Sequence, residues 1–373
     1  MSERQINYDP IYNVVDRDNF DALIEVDRYA DRTDAFDEII AATVDHFWDP
    51  TDKRYIDFQS EPLNLEEELI MPEDFCIELK TAVADKLDPQ QKIRLANQNT
   101  RFILSSILHG EQGALSLSAS LTQILRDPGA QEYAANQTRE EARHVTGFTG
   151  YIEERWSTPL ASGPTIRNLM NEIVKTDLVY KKLIGMQMLI EGLAMGAFAT
   201  IQRETNDPLL RRLIQFTMSD EAFHHKFGKI WADRTIPKLT DEEHEHVELW
   251  AADAFQILLF NLVNSEQKQE IYKEFGLEWQ WVRSAVMEAF TEEDRRQDMT
   301  NNTNIFRVLI KTLLKAGIIT DRTRHVYQAW VDMDELAREG DEVAGADVAM
   351  AAMEELKLIN QGRQKMGARY RTN

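Results

Sequence analysis

Two short motifs in this chain put a carboxylate and an imidazole within reach of one ion: Glu141-Ala142-Arg143-His144 and Glu221-Ala222-Phe223-His224. On a helix, residues three apart share a face, about one turn apart. The spacing alone says little, because Glu243 and His246 repeat it in the polar run DEEHEHVE, where it reads as a solvated helix face. Two further glutamates separate signal from decoy. Glu111 sits in ILSSILHGEQGALSLSASL and Glu191 in IGMQMLIEGLAMGAFATI, segments that are apolar nearly all round. A carboxylate there loses its hydration at a cost of several kcal/mol unless it is paired, protonated or metal-bound. Glu111 precedes Glu141 by 30 residues and Glu191 precedes Glu221 by 30; the pairs 111/191, 141/221 and 144/224 all share an offset of 80. Thirty residues before Glu243 stands Leu213, so the decoy lacks this match. Two helix hairpins with matching ligand sets are what a pseudo-two-fold di-metal site requires: one Glu from each of two helices and Glu-x-x-His from each of the others.

Four long helical patterns carry these residues. Asp88-Pro89 opens an apolar spacing that runs to about Leu125, where Asp127-Pro128-Gly129 breaks it. The next pattern runs from about Ala130 to Trp156. After Ser162-Gly163-Pro164, helix is predicted from about 165 to 204, in one piece or two, and Asn206-Asp207-Pro208 starts a fourth that ends near Arg234. Long segments joined by short Pro-containing turns are the pattern of a helical bundle, with space for a crossover at the third connection. On this reading residues 1–88 form an N-terminal arm with flanking helices near 35–48 and 73–87, and 89–235 form the bundle. Residues 236–373 add C-terminal helices near 240–264, 266–292, 303–316, 320–337 and 345–361, packed on the bundle. The segment 49–74 reads as extended, and the tail QGRQKMGARYRTN as short, basic and loose. No strand pattern stands out, so the expected fold class is all-α.

The ligand pattern resembles that of the ferritin-like di-iron carboxylate superfamily, across residues 89–235 only. The resemblance implies a ferritin-like four-helix bundle with additional N- and C-terminal helices. It further implies that Glu141 and Glu221 are the central or bridging carboxylates and the catalytic pair. Glu111 with His144 would complete one metal ion, and Glu191 with His224 the other. Six hard or borderline ligands suit two Fe ions, with Mn as the other candidate. In the bacterial multicomponent monooxygenases, an acidic residue precedes each Glu of Glu-x-x-His and an Arg precedes each His, and these side chains orient the imidazoles. Here the acidic residues are Glu140 and Asp220, while Arg143 is present and Phe223 stands where the second arginine would be. One cross-bundle pair, Asp220 with Arg143, is therefore expected, and the other is missing. His225 points about 100° away from His224. Thr217 occupies the position of a third iron-bound histidine found in arylamine N-oxygenases, and His109 reads as a satisfied core histidine.

Composition narrows the partners. Acidic residues outnumber basic ones 64 to 42, a formal charge of −22 that repels nucleic acid. A single cysteine, Cys76, excludes an internal disulfide and cysteine-ligated clusters. The polar, acidic start is unlike a secretory signal, and no uninterrupted apolar run approaches the ~20 residues of a membrane helix. A cytoplasmic protein without a membrane partner is expected. No flavin or nucleotide fingerprint is present, so electrons would come from a separate reductase or from the substrate.

Three functions fit the resemblance. One is a non-haem di-iron monooxygenase that activates O2 and oxidises a small apolar or aromatic molecule. The others are a radical-generating small subunit like that of class I ribonucleotide reductase, and a rubrerythrin-like oxidase or iron-handling protein. The radical family usually carries a tyrosine four residues after the first ligating His; that position is Phe148 here, with Tyr151 one turn further on. Gly192, Ala194, Gly196 and Ala197 read either as space for substrate beside Glu191 or as close helix packing. Trp250, Phe255, Trp279, Trp281 and Trp330 are candidates for a pocket wall or a homodimer face. The oxygenase is the preferred reading.

Overall fold

Aspartate followed by proline starts three of the long helices. Asp88 accepts the Gln91 N–H while the Gln91 side chain accepts the Asp88 N–H, closing a capping box around Pro89. Asp127 and Asp207 accept from the N–H groups of Gly129 and Leu209. Proline at the first helical position lacks an N–H that would go unpaired there, and each such cap contributes about 1 kcal/mol. The computed structural model describes residues 10–262, 264–290, 305–340 and 345–370, and is all-helical. A short helix α1 (Asp37–Asp45) comes first, followed by α2 (Pro89–Ile124) and α3 (Pro128–Trp156). Next come α4 (Pro164–Lys175), α5 (Val179–Glu204) and α6 (Pro208–Thr235).

The apolar residues of α2, α3, α5 and α6 fall into two separate cores. One contains Leu117 and Leu121 of α2, Tyr133 and Ala134 of α3, Leu183 to Leu189 of α5, and Phe227 and Trp231 of α6. The other contains Leu104 and Leu108, Phe148 and Ile152, Met195 and Phe198, and Leu213 and Ile214 of the same four helices. This distribution fixes the directions. Helices α2 and α3 run antiparallel, as do α5 and α6, while α3 and α5 run the same way. The chain must therefore return along the length of the assembly between Trp156 and Val179, and α4 lies on that crossover, with Leu169 and Ile173 in the first core.

Several segments differ from their predicted form. Residues 73–87 form three 3-10 turns, Glu73–Phe75, Ile77–Lys80 and Ala84–Lys86, in place of an α-helix. Extended backbone at Cys76 and Thr81 turns Glu78 inward, where it accepts from Tyr272 (2.6 Å), Asn99 (3.1 Å) and Lys268. The 49–74 segment folds as turns, and the described residues contain only an isolated bridge, Val14 with Leu125. The helix predicted at 266–292 is interrupted by Gly276 at φ +68°, and that at 320–337 by Asp332, which caps Met333–Arg338. The last helix continues to Tyr370 through most of the tail expected to be loose.

After α6 come α7 (Asp241–Leu262), α8 (Trp279–Ala289), α9 (Ile305–Lys315) and α10 (Ala346–Tyr370). Helix α9 packs on α5, and α10 on α6. The small residues of α5 serve the first of these contacts. A Cβ on Gly196 would stand 2.7 Å from Ile305 Cγ2 and 2.9 Å from its Cα, and one on Gly192 would stand 3.4 Å from Leu309. Of the two readings of these small residues, close helix packing is the one that holds at Gly192 and Gly196. Helix α5 is also long and apolar enough to cross a membrane by composition (mean hydropathy 1.4), although 72% of that window is buried within the protein. Because Ile305 presents backbone as well as side chain to Gly196, Gly196→Ala should lower the unfolding free energy by about 1–3 kcal/mol in urea titrations. An unchanged midpoint would contradict this packing.

Candidate metal centre

Between the two apolar cores lies one layer of charged side chains. Reading along each helix, Glu111 follows Leu108, Glu140 to His144 precede Phe148, Glu191 follows Leu189, and Asp220 to His224 precede Phe227. Glu141, His144, Glu221 and His224 are fully buried, and Glu111 and Glu191 nearly so. The six predicted ligands converge here. Glu111, Glu141, His144 and Glu221 each offer an atom within 4.8 Å of the others, as do Glu141, Glu191 and His224, so Glu141 belongs to both groups. These buried clusters could hold metal ions.

The imidazoles are held from both sides. His144 Nε2 lies 2.8 Å from Asp220 Oδ2, and His224 Nε2 lies 2.9 Å from Glu140 Oε2. With Nε2 so engaged, Nδ1 faces inward. That of His144 is 3.1 Å from Glu111 and 3.1 Å from Glu221; that of His224 is 3.0 Å from Glu221 and 3.1 Å from Glu141. Of the inner carboxylate oxygens, Glu191 Oε1 has no hydrogen-bond partner, and Glu221 Oε1 and Glu141 Oε2 meet only His144 Nδ1, at 3.1 and 3.4 Å. Buried carboxylate oxygens beside inward-facing imidazole nitrogens are the donor set a cation requires. Four inner carboxylates would carry −4 when ionised, which two divalent ions balance. The residues present therefore fit a di-metal group.

The electrostatics show the strain of that layer without cations. Burial pushes Glu111 up to about 8, against the pull of His144, and pushes Glu191 well above the usual carboxylate range, assisted by the charges of Glu221 and Glu141. For Glu221 burial again opposes ionisation, but His224 and His144 outweigh it and hold the carboxyl below its ordinary value. Burial likewise works against the charged form of His144 and His224, yet Glu111 for the first and Glu141 for the second raise both rings well above the usual histidine range.

The outer layer also differs from expectation. Arg143 pairs with Asp220 through Nε (2.9 Å) and its terminal nitrogen, as predicted. The opposite side is not vacant. His46, from just beyond α1, places Nε2 3.2 Å from Asp220 and 3.4 Å from Glu140. Trp48 Nε1 donates to Asp220 Oδ2 at 2.8 Å, and Gln137 donates to Glu141 Oε1 at 2.9 Å. None of these three was singled out from the sequence. His46 and Trp48 lie far from the motifs, whereas Gln137, one turn before Glu141 in α3, was the detectable one. A stretch of π-helix, Leu183–Ile190, ends immediately before Glu191, a distortion frequent at functional sites.

The remaining sequence candidates lie elsewhere. Glu243 is buried and caps α7, accepting from the Thr240 N–H (2.8 Å) and hydroxyl (2.9 Å), so its predicted solvated role applies only to the exposed His246. His109 meets the Leu160 carbonyl at 2.8 Å, and Thr217 donates to Leu213 O. His225 belongs to none of the three metal-ready groups among the described residues. Tyr151 donates to Asp207 at 2.6 Å, and Phe148 stacks on Phe198. The cavities beside Trp231, Leu210 and Arg324 are lined by none of the six ligands. No family model matches this chain, and no curated protein matches it.

A bound cation would compete with protons on Glu111, Glu191 and the two imidazoles. A carboxyl raised from 4.5 to about 8 costs the metal-free fold stability as pH rises through that interval, and a cation removes the cost. The gain in melting temperature on adding Fe(II) anaerobically should therefore grow from pH 6 to pH 8, with proton release seen by an indicator dye. A gain that shrinks over this range would contradict the assignment.

Proposed function

We propose that this chain is a di-iron carboxylate oxidoreductase with a ferritin-like four-helix bundle, which uses O2 to oxidise a small apolar or aromatic molecule. The observation that carries the reading is the pair of overlapping ligand groups sharing Glu141, whose carboxylate oxygens face the inward Nδ1 atoms of His144 and His224. Glu111, His144, Glu141 and Glu221 would hold one ion, and Glu191, His224, Glu141 and Glu221 the other. Bound iron would supply the redox electrons that O2 reduction requires. The chain's own contribution is positional. Asp220 and Glu140 fix the Nε2–H of each imidazole so that Nδ1 is offered inward, and Gln137 fixes one oxygen of Glu141. The two apolar cores keep water from the layer, which strengthens every charge interaction in it. Electrons would come from a separate reductase or from the substrate, and Mn is the alternative metal.

A second reading, radical generation, is favoured by one residue. Tyr133 is fully buried on α3, eight residues before Glu141, and its hydroxyl has no hydrogen-bond partner. Burial, and then the charge of Glu140, pushes this phenol well above its ordinary range against the influence of His224. An unpartnered phenol near a redox metal is a candidate one-electron donor.

Anaerobic titration should give two Fe(II) per chain. Glu141→Ala and His224→Ala should lose at least one, while His246→Ala binds as wild type. Equal iron in all three variants would remove the site. After reduction and exposure to 18O2, the oxygenase reading requires labelled oxygen in the product with an aromatic or aliphatic test panel. A persistent tyrosyl signal that vanishes in Tyr133→Phe, with no labelled product, would instead select the second reading.

A further inference from the structure

The two halves of the outer layer are unequal in sequence. Arg143 precedes His144, but the position 80 residues later is Phe223, so two buried carboxylates, Glu140 and Asp220, face a single guanidinium from the helices that bear them. A buried carboxylate with too little positive charge is expensive, and it is also free to rotate away from the imidazole it should orient. The missing charge arrives from outside the four long helices. His46 is fully buried, and its ring lies flat on that of Phe223, with centroids 5.0 Å apart and planes 5° from parallel. The residue that replaces the arginine is thus the platform for the imidazole. From there Nε2 lies 3.2 Å from Asp220 Oδ1 and 3.4 Å from Glu140 Oε1, at ion-pair distance without a formed hydrogen bond, and these are the same two oxygens that the Arg143 terminal nitrogen approaches.

We propose that His46 is a positioning residue: its imidazolium, stacked on Phe223, takes the place of the second arginine and holds Glu140 and Asp220 in the orientation that fixes His224 and His144. The role rests on the di-metal reading of the inner layer. Charge supports it: with His144 and His224 neutral on metal, Glu140 and Asp220 would otherwise share the single charge of Arg143. Burial pulls the ring toward neutrality, but Asp220 and Glu140 raise it to about 9. The neighbouring residues act on the same layer: Trp48 donates to Asp220, and Phe47 lies under Arg139 (4.9 Å) and Arg143 (5.8 Å). His46, Glu140 and Asp220 also meet the distance requirement for a metal site of their own. Arg143 argues against that use, since a divalent ion between those oxygens would sit against a guanidinium.

The test uses full-length protein, Fe(II) binding under anaerobic conditions, and the absorption spectrum of the Co(II)-loaded form, which reports ligand geometry. His46→Leu keeps the volume and removes the charge. It should weaken Fe(II) binding by about 10- to 100-fold and alter the Co(II) spectrum, with helical circular dichroism retained. His46→Ala combined with Phe223→Arg, which returns a guanidinium to the space the imidazole leaves, should recover affinity to within a few-fold of wild type. Wild-type affinity in His46→Leu, or no recovery in the double variant, would overturn the proposal. So would three ions per wild-type chain falling to two in His46→Leu, which would make His46 a ligand. If His46→Leu does not fold, the double variant decides alone: recovery of fold and metal supports the proposal, and failure of either overturns it. Wild-type protein that binds no metal would remove the di-metal reading itself. The pairing would then be judged on metal-free melting temperature, which must fall in His46→Leu and return in the double variant.

Discussion

The fold is organised around the cost of burying charge. Four carboxylates and two imidazoles occupy one layer, with two more carboxylates outside them, and apolar core closes both ends. In such surroundings neither an isolated carboxylate nor an isolated cation is tolerated. Every charged group in the layer is therefore within reach of an opposite one or is driven toward its neutral form. Glu221 and Asp220, each close to two histidines or an arginine, remain ionised, whereas Glu111 and Glu191 are pushed toward protonation. Bound cations would reverse that tendency at the inner carboxylates, so metal binding and fold stability would be coupled in this layer.

The segments outside the four long helices are consequences of the same constraint. The chain beyond α1 brings His46 and Trp48 to the outer carboxylates, so the N-terminal region is part of the centre's support. On the opposite flank α9 lies close enough to α5 that glycine is required at position 196. The π-helical stretch in α5 lies within the first core and ends immediately before Glu191. Further out, single buried carboxylates pin the remaining pieces. Glu78 ties the 3-10 turns to Lys268 and Tyr272, and Glu248 gathers Thr320, Arg322 and Thr323. A chain with 64 acidic residues uses several of them as internal anchors.

The tyrosines bear on function. Tyr151 is committed to Asp207 at the start of α6, and Phe148 is part of an apolar stack, so neither position raised by the resemblance offers an uncommitted phenol near the layer. Tyr133 does, from the other end of α3. The small residues of α5, which from sequence argued for substrate space, argue for helix packing at Gly192 and Gly196. What supports the di-metal proposal is the ligand set itself, and Tyr133 is the phenol whose role distinguishes its two readings.

The sequence by itself determined the parts that are local or periodic. Asp-Pro caps and apolar spacing marked the long helices to within a few residues, because capping and amphipathicity are properties of neighbouring residues. The 80-residue offset singled out the six inner side chains, since two like hairpins repeat their spacing, whereas the Arg143–Asp220 pair was expected only through the family resemblance. The tertiary structure alone decided what depends on residues distant in the chain. His46 stands about 95 residues from Glu140, and nothing near Phe223 in sequence announces that an imidazole will lie on it. The 3-10 turns at 73–87 depend on Glu78 meeting partners nearly 200 residues away, which overrides a helical pattern. Whether Gly196 admits a substrate or a helix was likewise undecidable before Ile305 was placed against it, because a missing Cβ creates space without saying what fills it.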